Sequence, residues 1–237
     1  DFYRHIRAAC ESGWDFSSRW LAEPNSLSSI QTTDILPIDL NCLLYNLEKQ
    51  LSKFNKLLGN DQQADLFSDY AAARRTLINK YMWSEQQHFF VDYNHHKASQ
   101  SKVLSAAAST ALFFNLASEQ QAQHIAERLS RDFLKAGGIV TTVTSTSQQW
   151  DSPNGWAPLQ WFAVKGLNNY GFSDLSKRIM QNWLTMVEND FSVNQCLLEK
   201  YNVCVPQLKA GGGEYVVQQG FGWTNGVTSR FYTLCED

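Results

Sequence analysis

The stretch PIDLNCLLYNLEKQLSKFNKLLG, residues 37–59, decides the fold. Leu40, Leu43, Leu44, Leu47, Leu51, Phe54 and Leu58 recur at steps of three and four, which lines one face of an α-helix. Pro37 stands at the helix start and Gly59 just past its end. After the short turn GND, Leu66, Tyr70, Ala73, Leu77 and Tyr81 repeat the pattern over residues 62–81. A link this short makes two helices antiparallel neighbours.

The same rhythm continues along the chain. A second pair is predicted over residues 102–116 and 119–134, with Ser118 as N-cap and Gly137 as the C-terminal glycine. A third pair is predicted over 158–170 and 173–190, and a last short helix over 227–234. Between the pairs lie long polar loops rich in aromatics, one of them (83–100) with the look of a hairpin. Helix, tight turn, helix, long loop, repeated about three times, predicts an all-α toroid of helical hairpins with its loops gathered at one end. No linker of Pro, Ser or charge breaks the chain, so residues 1–237 are expected to form a single domain.

Composition narrows the function. A net charge of −3 without a basic block argues against nucleic acid as a partner, and no apolar run is long enough to span a bilayer. Cys10, Cys42, Cys196, Cys204 and Cys235 are odd in number and scattered, without metal-ligand spacing. They predict free thiols and lean slightly to a cytoplasmic location, with a periplasmic one as the alternative. The five histidines show no zinc spacing, and no dinucleotide, Walker or nucleophile-elbow motif appears, so neither metal nor cofactor is expected. Eight tryptophans, many beside polar loop residues, suit a sugar, whose C–H faces stack on indole while its hydroxyls need carboxylates and amides.

Three loops combine Trp, Gly and carboxylates, around Trp14-Asp15, Trp150-Asp151 and Glu214-Tyr215. Loops gathered at one end of a toroid bring their carboxylates together, and a pair of carboxylates flanking one bond is what glycoside cleavage needs. Each acid also has a plain structural reading. Asp15 suits a helix cap, Asp151 a turn in WDSPNG, and Glu199 in LLEKYN a solvated helix end. Glu214 follows Gly211, Gly212 and Gly213, a run that lets backbone come close to something.

These segments resemble the trehalase family of glycoside hydrolases. QWDSPNGWAP (149–158) is similar to the family signature Q-W-D-x-P-x-G-W-x-P, a highly specific run. ESGWDFSSRW (11–20) looks like the segment carrying the general acid, and GGGEYVVQQGFGWTNGV (211–227) like the glycine-rich segment near the family's C-terminus. The resemblance covers essentially the whole chain, in order, and looks closest to bacterial members. It implies an (α/α)6 barrel and hydrolysis of α,α-trehalose to two glucoses by an inverting mechanism without a cofactor. By motif, Asp15 corresponds to the catalytic acid and Glu199 to the catalytic base. Gly13 and Glu214 correspond to sugar contacts, and Trp150, Asp151 and Trp156 to the pocket wall. In an inverting enzyme the two carboxyls stand roughly 6.5–9.5 Å apart. The acid must hold its proton near neutrality, and Trp14 and Phe16 are expected to help by excluding water.

The chain departs from the family pattern in two ways. Where the family has P-L-Q-D-G after the E-Y pair, this chain has Val216 to Gly220, with Gln219 in the aspartate's place. The family's first signature and its sugar-holding arginines have no counterpart here. The chain therefore reads as the C-terminal part of such an enzyme, weakly active or inactive alone, and monomeric at full length. Two other readings stay open: another (α/α)6 glycosidase, or a carbohydrate-binding remnant that does not hydrolyse.

Overall fold

A computed structural model describes residues 1–213 and 215–236. Among them are eight α-helices: α1 Phe2–Ser12, α2 Ile38–Leu57, α3 Asp61–Met82, α4 Ser109–Phe113, α5 Glu119–Arg128, α6 Ala157–Asn169, α7 Ser173–Asn194 and α8 Gly222–Glu236. Short antiparallel ribbons stitch the loops between them. Ile35–Leu36 (β1), Tyr93–Asn94 (β4) and Ser99–Gln100 (β5) form a three-stranded sheet in the order β1-β4-β5. Trp83–Ser84 (β2) pairs with Phe89–Phe90 (β3), and Leu134–Lys135 (β6) with Gly138–Ile139 (β7). Asn154–Trp156 (β8) pairs with Lys200–Asn202 (β9), setting Gly155 opposite Tyr201.

The pairs α2–α3 and α6–α7 form where the periodicity predicts them. The buried face of α2 is not the predicted one. Ile38, Cys42 and Tyr45 are buried, whereas Leu43, Leu47 and Phe54 are 46, 52 and 54 % exposed. The periodic leucines do share a helix face; Leu44 and Leu51 on it are half-buried and the others are exposed.

The second pair also differs. Ser118 does cap α5, in a reciprocal box with Gln121, and α5 runs on into a π-helical turn, Leu129–Phe133. Residues 102–105 are not helical. Ser105 bridges to Thr142 and the Ala106 N–H donates to the Thr141 carbonyl at 2.8 Å, so neighbouring backbone holds this stretch outside the helix. Gly137 does not end a helix. It lies in the β6–β7 hairpin, where its N–H donates to the Val203 carbonyl at 2.8 Å and a side chain would run into Met186. Glycine is also required at Gly166 of α6, where a Cβ would meet Leu112 Cβ of α4 at 2.7 Å. Helix α1 was not predicted, although Phe2, Ile6 and Ala9 step by four and three and Gly13, at φ 81°, closes it in the left-handed region.

The core runs without a break through the alanine-rich α4 segment, α5, α6 and α7, and includes Trp20, Trp156, Trp183, Phe89 and Phe133. The loop after α1 (13–17), the loop before α6 (149–156) and the chain from Glu199 to Trp223 lie side by side on one flank of this core.

Candidate active site

Asp15 sits one residue beyond Trp14, between two buried aromatics, and is itself only partly exposed. It caps no helix. Ser17 performs that task for the 3-10 turn Ser18–Trp20, accepting from the Arg19 N–H at 3.2 Å. The segment is held from both sides. The Trp150 N–H donates to the Phe16 carbonyl at 3.0 Å. Gln149 Nε2 donates to the Asp15 carbonyl. Burial raises the Asp15 pKa above the ordinary carboxylate value, and the nearby Glu199 charge adds to the rise. Its own backbone N–H, the Trp150 indole and the Lys200 cation act in the opposite direction without reversing it. This is the direction a general acid requires.

Arg19 anchors the same loop to α2. Its guanidinium is fully buried and forks onto two carboxylates, Asp92 at 2.6 and 2.8 Å and Asp39 at 2.7 and 2.8 Å. It also stacks over Trp14 and Trp20, with 4.5 and 4.6 Å to the ring centroids. Burial alone would weaken both members of the Arg19–Asp39 pair. Their mutual attraction wins, raising the Arg19 pKa and holding Asp39 below the usual carboxylate range.

Glu199 is only 1 % exposed, so it is not a solvated helix end. The chain bends there, just before β9. Its N–H donates to the Gln218 carbonyl at 3.0 Å and its carbonyl accepts from Trp223 Nε1 at 3.2 Å. One carboxylate oxygen bonds Lys200 Nζ at 2.8 Å, and the other lies 3.5 Å from the Tyr215 hydroxyl.

The signature loop supplies the frame. Trp150 and Trp156 stack face to face, centroids 3.9 Å apart and planes 1° from parallel, and Trp14 stacks on Trp150 at 5.1 Å. Both Trp156 Nε1 and Asn154 Nδ2 donate to the Gln149 carbonyl, at 3.1 and 3.0 Å. Trp150 and Trp156 are both buried. Asp151 differs from its expected role at the sugar. It is fully buried, and its carboxylate accepts five hydrogen bonds: from Ser17 Oγ, Ser18 N, Ser18 Oγ, Thr142 Oγ1 and Thr146 Oγ1, at 2.5–2.9 Å. Burial raises its pKa, and these donors pull against the rise. It thus ties the residues just after Asp15 to the signature loop.

Gly13 is exposed beside this group, ending α1. Glu214 lies outside the described residues. Of the glycines before it, Gly212 and Gly213 do serve a close approach, but to protein: a Cβ at Gly212 would meet the Ser147 carbonyl at 2.5 Å and one at Gly213 would meet Gln149 Cδ at 2.9 Å. Lys200, Gln149 and Tyr215 were not singled out from sequence as site residues. Gln149 and Lys200 flank residues that were, and only folding shows that they meet. Among the described residues no group of His, Cys, Asp and Glu is placed to hold a metal ion.

The trehalase family model matches residues 1–236. The chain belongs to the trehalase family. It is 43 % identical over 234 residues to the periplasmic trehalase of Citrobacter koseri and 42 % identical to that of Escherichia coli strain SMS-3-5, covering 99 % of this chain and 41 % of each relative. It therefore spans less than half the length of the curated trehalases it matches. Among solved structures it superposes on the neutral trehalase of Saccharomyces cerevisiae with a TM-score of 0.83 at 29 % identity, over 98 % of this chain and 42 % of that one. A mannosylglycerate hydrolase from Thermus thermophilus shares the fold, with a TM-score of 0.65 at 20 % identity. The all-α architecture is thus that of the (α/α)6 toroids, as the family resemblance implies and in keeping with the toroid of helical hairpins read from the periodicity. The cytoplasmic location is corrected by the same relatives, which are named periplasmic trehalases. Scattered, unpaired cysteines carry too little information to fix a compartment. No helix among the described residues is long and apolar enough to cross a membrane.

Proposed function

We propose that this chain contributes the acid and the base of an inverting α,α-trehalase acting in the periplasm, and forms one domain that is the C-terminal part of the toroid. The observation that carries the reading is the linked placement of Asp15 and Glu199: an acid of raised pKa beside a buried carboxylate whose charge it feels. Asp15 protonates the glycosidic oxygen, and Glu199 takes a proton from the water that attacks the opposite face of the sugar. Trp14, Trp150 and Trp156 keep bulk water from the acid, which strengthens each charge interaction in the site. Gly13 and Glu214 are assigned to the sugar, and Trp150 and Trp156 to the pocket wall, by family resemblance. Cleavage by inversion gives one α- and one β-glucose.

The test is trehalose hydrolysis by the full-length enzyme that contains this chain, followed by glucose release and by NMR of the newly formed anomers. Asp15→Asn and Glu199→Gln are each expected to abolish turnover. Near-normal glucose release by either variant would remove that residue from the mechanism.

A further inference from the structure

Lys200 is a fully buried cation that the acid–base pair does not itself require. Burying an ammonium is costly unless it is paired, and a buried ion pair is often no more stable than apolar residues of the same volume. Its surroundings are specific. Nζ bonds Glu199 Oε1 at 2.8 Å and Gln149 Oε1 at 2.6 Å. It also lies over the rings of Trp156 and Tyr215, 5.2 and 5.1 Å from their centroids. Successive residues of an extended strand point to opposite faces, so Glu199 and Lys200 meet only because the chain bends at Glu199.

Gln149 extends the connection. With its amide oxygen on Lys200, its nitrogen must face acceptors, and these are the Asp15 carbonyl and the Tyr215 hydroxyl, the latter at 3.3 Å. A continuous chain of donors and acceptors thus runs from the Glu199 carboxylate through Lys200 and Gln149 to the main chain of Asp15. The titratable groups that face it among the described residues are Asp15, Glu199 and Tyr215.

We propose that Lys200 is a positioning residue for the hydrolysis. Its ammonium holds the Glu199 carboxylate in place and, through Gln149, fixes the backbone of Asp15, so that base and acid stand at one separation. The inference rests on the assignment of Asp15 and Glu199 as acid and base. The Lys200 cation favours the charged form of Asp15, so its removal lets the acid keep its proton to a higher pH.

The experiment is the pH profile of trehalose hydrolysis by the full-length enzyme that contains this chain, wild type against Lys200→Met and Lys200→Arg. In Lys200→Met kcat is expected to fall and the alkaline limb, which reports the acid, to move to higher pH, because the lysine charge opposes the raised pKa of Asp15. Lys200→Arg, which keeps the charge, returns that limb toward wild type. A fall in kcat with an unmoved alkaline limb in Lys200→Met would reduce Lys200 to packing and overturn the proposal. If Lys200→Met does not fold, Gln149→Leu decides. It leaves the ion pair and so the limbs in place, but frees the Asp15 carbonyl, and kcat should fall while KM holds; wild-type kcat there overturns the proposal. A full-length enzyme containing this chain that releases no glucose from trehalose removes the acid–base reading and this inference together. Hydrolysis that Asp15→Asn abolishes, with an unmoved alkaline limb in Lys200→Met, removes this inference alone.

Discussion

The carboxylate of Asp151 shows how far a single residue's role depends on what surrounds it. In the sequence it sits in a good turn and in a family signature, and both readings point outward. Folded, it gathers two serine hydroxyls, a backbone N–H and two threonine hydroxyls that come from three separate stretches of chain. Replacing it with alanine strands buried donors, which costs about 3 kcal/mol of stability and loosens the segment carrying Asp15. Urea denaturation of Asp151→Ala measures this, and wild-type stability would refute it. The two acids were legible for a different reason. Asp15 suited a helix cap and Glu199 a solvated end, because local pattern says nothing of loops that meet only in the fold. The motif resemblance picked out both. It could not pick out Lys200, whose partner Gln149 lies 51 positions away.

Among the elements, the long helices were the readable ones, since period and caps are local properties. The short and irregular ones were not. The stretch before Ala106 has helical composition but is held extended by residues near 141, a contact that no local window contains. The loop bearing Asp15 is secured to α2 by Arg19, whose two carboxylate partners lie 20 and 73 positions away. Arg19→Met keeps the volume but leaves Asp92 and Asp39 without their cation, and is expected to cost about 3–5 kcal/mol. The Asp39 share of that loss has a defined pH window. Its folded pKa is depressed, so its stabilisation is present above the unfolded carboxylate pKa and fades as pH falls through the folded value. The wild-type advantage over Arg19→Met in chemical denaturation should therefore shrink toward acid pH, and an advantage constant with pH would count against the pairing.

For the whole molecule, the informative surface is the leucine face of α2. Leu40, Leu43, Leu47 and Phe54 are exposed together, with Leu36 alongside them at β1. A stripe of this kind is normally covered in a soluble protein, and the chain matches only 41 % of the length of its curated relatives. The periodicity that identified the helix thus reported a real apolar face, whose cover is not among these residues. Leu43→Gln with Leu47→Gln is expected to change the stability of the 237-residue chain by less than about 0.5 kcal/mol, as for other exposed sites. It should also reduce its binding of a hydrophobic dye. A large loss of stability would mean that this face is already buried.

The way Asp15 is held has a practical outcome. Gln149 grips its carbonyl, and the Trp150 N–H grips the carbonyl of Phe16, so the frame holds the main chain at both residues. The acid can be exchanged for an amide without removing either bond. On the proposed mechanism, Asp15→Asn is accordingly the variant in which to trap an uncleaved disaccharide for crystallography.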